Sequence, residues 1–141
     1  MNNLNIFVDG GARGNPGPAA TGVVIKDQNQ KTLHRFGKYI GKTTNNQAEY
    51  QAVIVALEWL TSHRETIRKS KFKNCKFFLD STLVVNQLNG NWKVKDASLR
   101  QKVIEVRELE GKLGLAVSYT AIPRAKNFEA DLLVNQALDE V

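Results

Sequence analysis

LNIFVDGGARGNPGPAATGVVIKDQNQKTLHRFGKYI, from Leu4 to Ile40, decides the fold. Leu4, Ile6 and Val8 alternate with Asn5 and Phe7, a period of two that predicts a strand. Gly10, Gly11 and Gly14 read as a turn that interrupts it, leaving Asp9 at the strand's end. Ala20–Lys26 and Leu33–Ile40 predict two further strands, separated by the polar turn Asp27–Gln30. Connections this short favour antiparallel hairpins.

Beyond this block the period changes. Ala48, Ala52, Val53, Ala56, Trp59 and Leu60 fall on one face of a helix starting near Gln47, with Asn45 or Asn46 as its N-cap. Arg64–Lys76 is a basic connection, and Cys75–Leu79 predicts a buried strand ending at Asp80. Ser81–Leu88 reads as a short helix stopped by Asn89-Gly90. A longer helix over Ala97–Leu113 turns Leu99, Val103, Val106 and Leu109 inward. Leu115–Ile122 predicts a last strand, closed by Pro123, and Asn127–Leu138 a last helix. The order βββαβααβα predicts an α/β fold, a mixed sheet flanked by helices.

A chain of 141 residues fits one domain over 1–141, and its 42% hydrophobic content suffices for one core. No run of about 18 apolar residues exists, so no membrane span is expected. MNNLNIFVDG lacks a basic segment followed by an apolar run, the mark of a secretion signal. Cys75 is the single cysteine, which rules out an internal disulfide and suits the cytoplasm. With two histidines far from it in sequence, a zinc site is not expected. The net charge of +6 suits a polyanionic partner such as nucleic acid, although a basic surface alone does not require one.

Four acids stand at predicted element ends: Asp9, Glu49, Asp80 and Asp131. Adjacent strands ending at one edge would bring Asp9 and Asp80 together, and helix starts over that edge would add the other two. Such a cluster repels itself unless a cation sits in it, and magnesium, hard and oxygen-seeking, is the natural one. Each acid also has an ordinary reading. Asp9 before Gly10-Gly11 fits a turn, Glu49 three residues after Asn46 fits a capping box, Asp80 fits the cap of the short helix, and Asp131 fits a solvated helix face.

The strings FVDGGARGNPGPAATG, TTNNQAEYQAVIVALEWL, FFLDSTLVVNQLNGNWKVK and AIPRAKNFEADLLVNQALDE resemble, in order and spacing, the motif blocks of type 1 ribonuclease H. They run from Phe7 to Glu140, and the chain is most similar to the short bacterial and archaeal forms. The resemblance implies the ribonuclease H fold, with a five-stranded mixed sheet. It implies hydrolysis of the RNA strand of RNA/DNA hybrids with two Mg²⁺ ions, or Mn²⁺, roughly 3.5–4 Å apart. It also implies a monomer whose metal-binding catalytic carboxylates are Asp9, Glu49, Asp80 and Asp131.

The same match implies substrate contacts. Gly11, Arg13 and Asn15 lie in the glycine-rich segment, and Asn45 and Asn46 correspond to residues that meet the hybrid's minor groove, where the 2′-hydroxyl separates RNA from DNA. Thr44 is a candidate for a DNA phosphate, and Trp92, Lys93 and Lys95 for a sugar and further phosphates. Capping for Asn45 and Asn46, a solvated charge for Arg13 and a core-covering role for Trp92 remain the alternatives. The connection Gly90–Asp96 leaves no room for the extra basic helix of longer members, so weaker hybrid binding with a smaller salt dependence is expected. Two positions depart from the family pattern. Many members carry a histidine in the loop before the last helix. Here that loop is Ile122–Asn127, with Arg124, which stays protonated and can hold a phosphate but not shuttle a proton. Neither His34 nor His63 is placed to substitute for it. Thr82 stands where a glutamine often reads the RNA strand, and its shorter side chain reaches less far.

Overall fold

The first strand does not stop at its glycines. In the computed structural model, which describes residues 2–141, β1 covers Asn3–Ala12 and pairs antiparallel with β2 (Gly17–Lys26), so Asp9 lies inside the strand opposite Gly22. The expected turn at Gly10 and Gly11 is therefore corrected to a shorter one beyond Ala12. The glycines serve packing instead. A Cβ on Gly10 would sit 2.1 Å from the Ala48 carbonyl oxygen, and one on Gly22 would sit 2.2 Å from the Ala130 carbonyl oxygen. Two helix backbones thus press directly on the sheet where a side chain would hold them off.

β3 (Thr32–Thr43) completes the antiparallel half, with an irregularity between its pairings to Ala19 and Ala20. α1 (Asn45–Ser62) follows, then α2 (Arg64–Lys69), a short helix inside the segment read as a plain connection. β4 (Asn74–Leu79) pairs parallel with β1, and β5 (Ala116–Ala121) parallel with β4, giving the mixed order β3-β2-β1-β4-β5. α3 (Thr82–Leu88) and α4 (Ala97–Leu113) lie between those two strands in sequence. A single 3₁₀ turn at Arg124–Asn127 leads into α5 (Phe128–Asp139).

The main core unites Leu4, Ile6 and Val8 of β1 with Val53, Leu57 and Leu60 of α1. α1 is buried almost all round, including Tyr50, Ile54 and Val55, so the single face read from its sequence understates its contacts. Leu99 and Val106 of α4 are buried, and Val103 and Leu109 pack on the same core half-covered. On the opposite sheet face Val134 and Leu138 of α5 close over Ala20. No helix among the described residues is long and apolar enough to cross a membrane.

Adding a methyl at Gly10 or Gly22 should push a helix off the sheet. Gly10→Ala and Gly22→Ala are each expected to lower stability by about 2–3 kcal/mol. Gly111 lies within α4 with nothing within 4 Å of an added Cβ, so Gly111→Ala should raise stability by about 0.5–1 kcal/mol. Urea unfolding midpoints of the three variants check this ordering.

Candidate functional site

The parallel register pairs Phe7 with Phe78, so two residues further on Asp9 comes alongside Asp80 just past the end of β4. Asp9 shares its sheet face with Gly22, the residue against which α5 packs, and α5 carries Asp131 in its first turn. Glu49 reaches the same place from α1. Thr44, not Asn45 or Asn46, caps α1, its hydroxyl accepting from the Gln47 amide at 3.2 Å. Glu49 consequently lies beyond the first turn and has no capping bond, which removes the capping-box alternative. Ser81, not Asp80, caps α3 by accepting from the Val84 amide.

Freed from these local duties, Asp9, Glu49 and Asp80 each bring a carboxylate oxygen within 4.8 Å of the others. Asp131 stands beside Asp9, outside that closest group, with its Oδ1 3.6 Å from the Arg124 guanidinium. Burial pushes the Asp9 carboxyl up to about 7, opposed by a hydrogen bond with Glu49 and reinforced by the charges on Asp80 and Asp131. Burial also raises Glu49, with the Asp9 charge adding to it. Asp80 is raised by burial and held back by the Arg124 charge. Glu49 Oε2 and Asp80 Oδ2 are buried without a hydrogen-bond partner. Clustered carboxylate oxygens that lack donors fit a hard divalent cation, which takes oxygen ligands and offsets the repulsion.

The acids form the floor of an open cavity of about 460 Å³, whose wall includes Gly11, Arg13, Asn45, Asn46 and Arg124. Two asparagines fasten this wall. Asn15 Oδ1 accepts from the Asn45 amide at 3.0 Å, and Asn45 Oδ1 accepts from the Ala12 amide at 2.9 Å. Arg13 is exposed and paired with Asp139 at 2.7 Å. Asn15 and Thr44 line a second, smaller depression next to the cavity. Thr82, Trp92, Lys93 and Lys95 line neither cavity and are exposed. Trp92, 48% exposed, does not cover the core. Its segment is held from below, because the Asn86 carbonyl accepts from the Asn91 and Trp92 amides and the Lys93 carbonyl accepts from Gln87 Nε2. His34 and His63 stack on Trp59, at 4.7 and 3.9 Å between ring centroids, away from the acids.

Sequence reasoning missed Asn127. It is buried, and its Nδ2 donates 2.9 Å to the Val8 carbonyl, tying the start of α5 to β1 one residue from Asp9. Read along the chain, an asparagine before a helix signals a cap, and it makes no such cap here. Asn135, also missed, lines the cavity and accepts from Arg13.

Fold and acidic cluster together define an α/β domain with a candidate metal centre, and comparison with known proteins gives its family. A family profile described as "Reverse transcriptase-like" matches residues 7–137. Ribonuclease HI of Halobacterium salinarum is 41% identical over 97% of this chain and 65% of its own length. The structure of LC11-RNase H1, isolated from compost by a metagenomic approach, superposes with a TM-score of 0.90 at 44% identity, covering 99% of this chain and 98% of that one. The same LC11-RNase H1 solved in complex with an RNA/DNA hybrid gives 0.88 at 42% identity, with 97% of each chain covered. The chain belongs to the type 1 ribonuclease H family. It spans just under two thirds of the archaeal relative and about a third of the mycobacterial ones.

The raised carboxyls give a pH-dependent stability. A group held near 7 in the folded protein, against an ordinary value near 4, stabilises the fold fully below about 4 and loses that contribution as pH rises through 7. Without metal, Asp9→Asn should therefore stabilise the protein relative to wild type more at pH 8 than at pH 5, with a ceiling of about 4 kcal/mol. Added Mg²⁺ should raise the wild-type Tm chiefly at pH 8. Thermal melts at both pH values, with and without chelator, check the sign.

Proposed function

We propose that this chain is an endoribonuclease that hydrolyses the RNA strand of RNA/DNA hybrids, leaving 3′-hydroxyl and 5′-phosphate ends. The observation that carries the reading is the cluster of Asp9, Glu49 and Asp80 on the floor of a cavity walled by Gly11, Asn45 and Asn46. A pure hybrid-binding module has no use for self-repelling acids facing a polyanion. The hybrid-bound structure of a relative at 42% identity supports the same substrate.

Two Mg²⁺ ions, or Mn²⁺, would supply an activated water and stabilise the leaving oxygen of an in-line displacement. In this chain Asp9, Glu49, Asp80 and Asp131 would hold them, with Asp9 and Asp80 contributing to both ions, Glu49 toward the RNA 2′-hydroxyl and Asp131 toward the nucleophile. Gly11 lets the backbone approach the RNA, and Asn45 and Asn46 offer donors and acceptors to the minor groove. Thr44 takes a DNA phosphate, and Asn15, in the glycine-rich segment that approaches the RNA, fastens the Asn45 backbone. Arg13, Thr82, Trp92, Lys93 and Lys95 add contacts along the duplex, all from exposed positions. Arg124 holds the scissile or departing phosphate, consistent with a side chain 79% exposed at the cavity wall. The reading includes a monomeric protein working in the cytoplasm, to which the single, buried thiol of Cys75 is suited.

Labelled RNA/DNA hybrid, duplex DNA and duplex RNA incubated with the protein in Mg²⁺ and then Mn²⁺ test the proposal. Cleavage of the hybrid's RNA strand is expected, slowed at least about a hundredfold by Asp9→Asn. Absence of hybrid cleavage in both metals, or equal cleavage by the variant, would remove it.

Arg124→Ala should lower turnover about tenfold, the effect of losing one charge-assisted phosphate contact. Unchanged single-turnover rates would show that Arg124 does not handle the phosphate.

A further inference from the structure

We propose that Tyr50 and Gln87, buried between α1 and α3, are positioning residues that hold the Trp92–Lys93 segment at a set distance from the carboxylates. The Tyr50 hydroxyl donates to Gln87 Oε1 at 2.6 Å, and Gln87 Nε2 donates to the Lys93 carbonyl at 3.3 Å. Tyr50 directly follows Glu49 in α1, so the helix that carries one carboxylate also carries the first member of this strut. Among the described residues, no other side-chain hydrogen bond reaches Trp92, Lys93 or Val94. Val94 packs half-covered against the core, while Trp92 and Lys93 are exposed.

The direction of each bond gives Tyr50 its part. The Gln87 amide has one accepting end and one donating end. Turned over, it would set Oε1 against the Lys93 carbonyl, acceptor facing acceptor, and the tie would be lost. The Tyr50 hydroxyl supplies the donor that keeps Oε1 satisfied in its buried place and leaves Nε2 for Lys93. Without it Oε1 is orphaned, and the amide is driven toward other partners. Burial pushes the Tyr50 hydroxyl up to about 12, against the opposing Arg107 charge, so it stays protonated near neutral pH. Packing alone does not call for this pair, because phenylalanine and methionine fill nearly the same volume with no buried hydrogen bonds to satisfy. The inference rests on the proposed reading in which Trp92 and Lys93 meet the duplex.

The test measures hybrid affinity by fluorescence anisotropy in an Asp9→Asn background, so that the RNA stays intact. Tyr50→Phe and Gln87→Met are each expected to weaken binding about fivefold, the effect of one misplaced polar contact. Their double variant, which leaves no orphaned acceptor, should show the same loss with a Tm closer to that of the parent. Trp92→Ala with Lys93→Gln removes the grip itself, at about tenfold. In that background Tyr50→Phe and Gln87→Met should each add less than about twofold, because nothing remains to be positioned. A purely structural role would cost the same in both backgrounds. With Asp9 intact, Gln87→Met should raise KM about fivefold and leave kcat within about twofold. Undiminished affinity in both single variants, a full loss persisting without Trp92 and Lys93, or a fall in kcat alone would overturn the strut. If Trp92→Ala with Lys93→Gln costs nothing, the contact reading falls and the strut with it. If that pair weakens binding while Tyr50→Phe and Gln87→Met do not, the strut falls and the contact reading stands. Absence of cleavage by the parent chain, with these binding losses present, removes the nuclease reading and leaves the strut standing.

Discussion

Three carboxylates with oxygens within 4.8 Å of one another repel, and nothing in their own chemistry keeps them there. The packing around them does. Asp9 is held within a strand paired on both sides, Glu49 on a helix whose neighbours Ala48 and Tyr50 are fully buried, and Asp80 at the end of a parallel strand in register with β1. Separating the acids would mean lifting α1 from Gly10 or breaking the β1–β4 ladder. Either disruption exposes core, at a cost larger than the repulsion, so the strain is stored as raised carboxyl pKa values and unpartnered oxygens. A cation entering such a place meets ligands that need no rearrangement.

Much of this was legible along the chain, and the misreadings share one cause. Strand alternation at Leu4–Val8 and the apolar residues of α4 report local environments, and a single sequence displays them directly. Gly10 reads as a turn because a glycine's local use and its tertiary use look alike in a string of letters. Its role is set by the Ala48 carbonyl lying on it. The same holds for Asn45 and Asn46, plausible caps by type, displaced by Thr44 because the loop carrying Asn15 claims the Asn45 amide. Asn127 signals only a helix cap along the chain. Its partner is the Val8 carbonyl, 119 positions away in sequence. For Glu49 and Asp80, the capping roles that each satisfies when read alone fall in the structure to Thr44 and Ser81.

The loop before α5 shows how a departure from the family pattern changes the physics at one point. A histidine there would titrate near neutrality, whereas Arg124 keeps its charge and sits 3.6 Å from Asp131 while opposing the rise of Asp80. It therefore eases the repulsion among the acids at every working pH. Its side chain is largely exposed, so water screens much of this effect, and the guanidinium is free to swing toward an incoming phosphate.

Charge on this molecule is divided by depth. The acids that would hold metal are buried or half-buried on the cavity floor, while Arg13 and Arg124 stand at its wall and the lysines lie beyond it. A polyanion approaching such a surface meets the positive rim first, and the acidic floor is felt only at short range, where metal would neutralise it. That ordering lets a chain without a basic helix between α3 and α4 draw a polyanion with cations from other elements. Of the cations available, Lys102 of α4 is fixed to Gln51 of α1, the helix that delivers Glu49. Grip and chemistry then share one rigid reference, α1 seated on Gly10. A strand held at the lysines would be held at a set distance from the carboxylates.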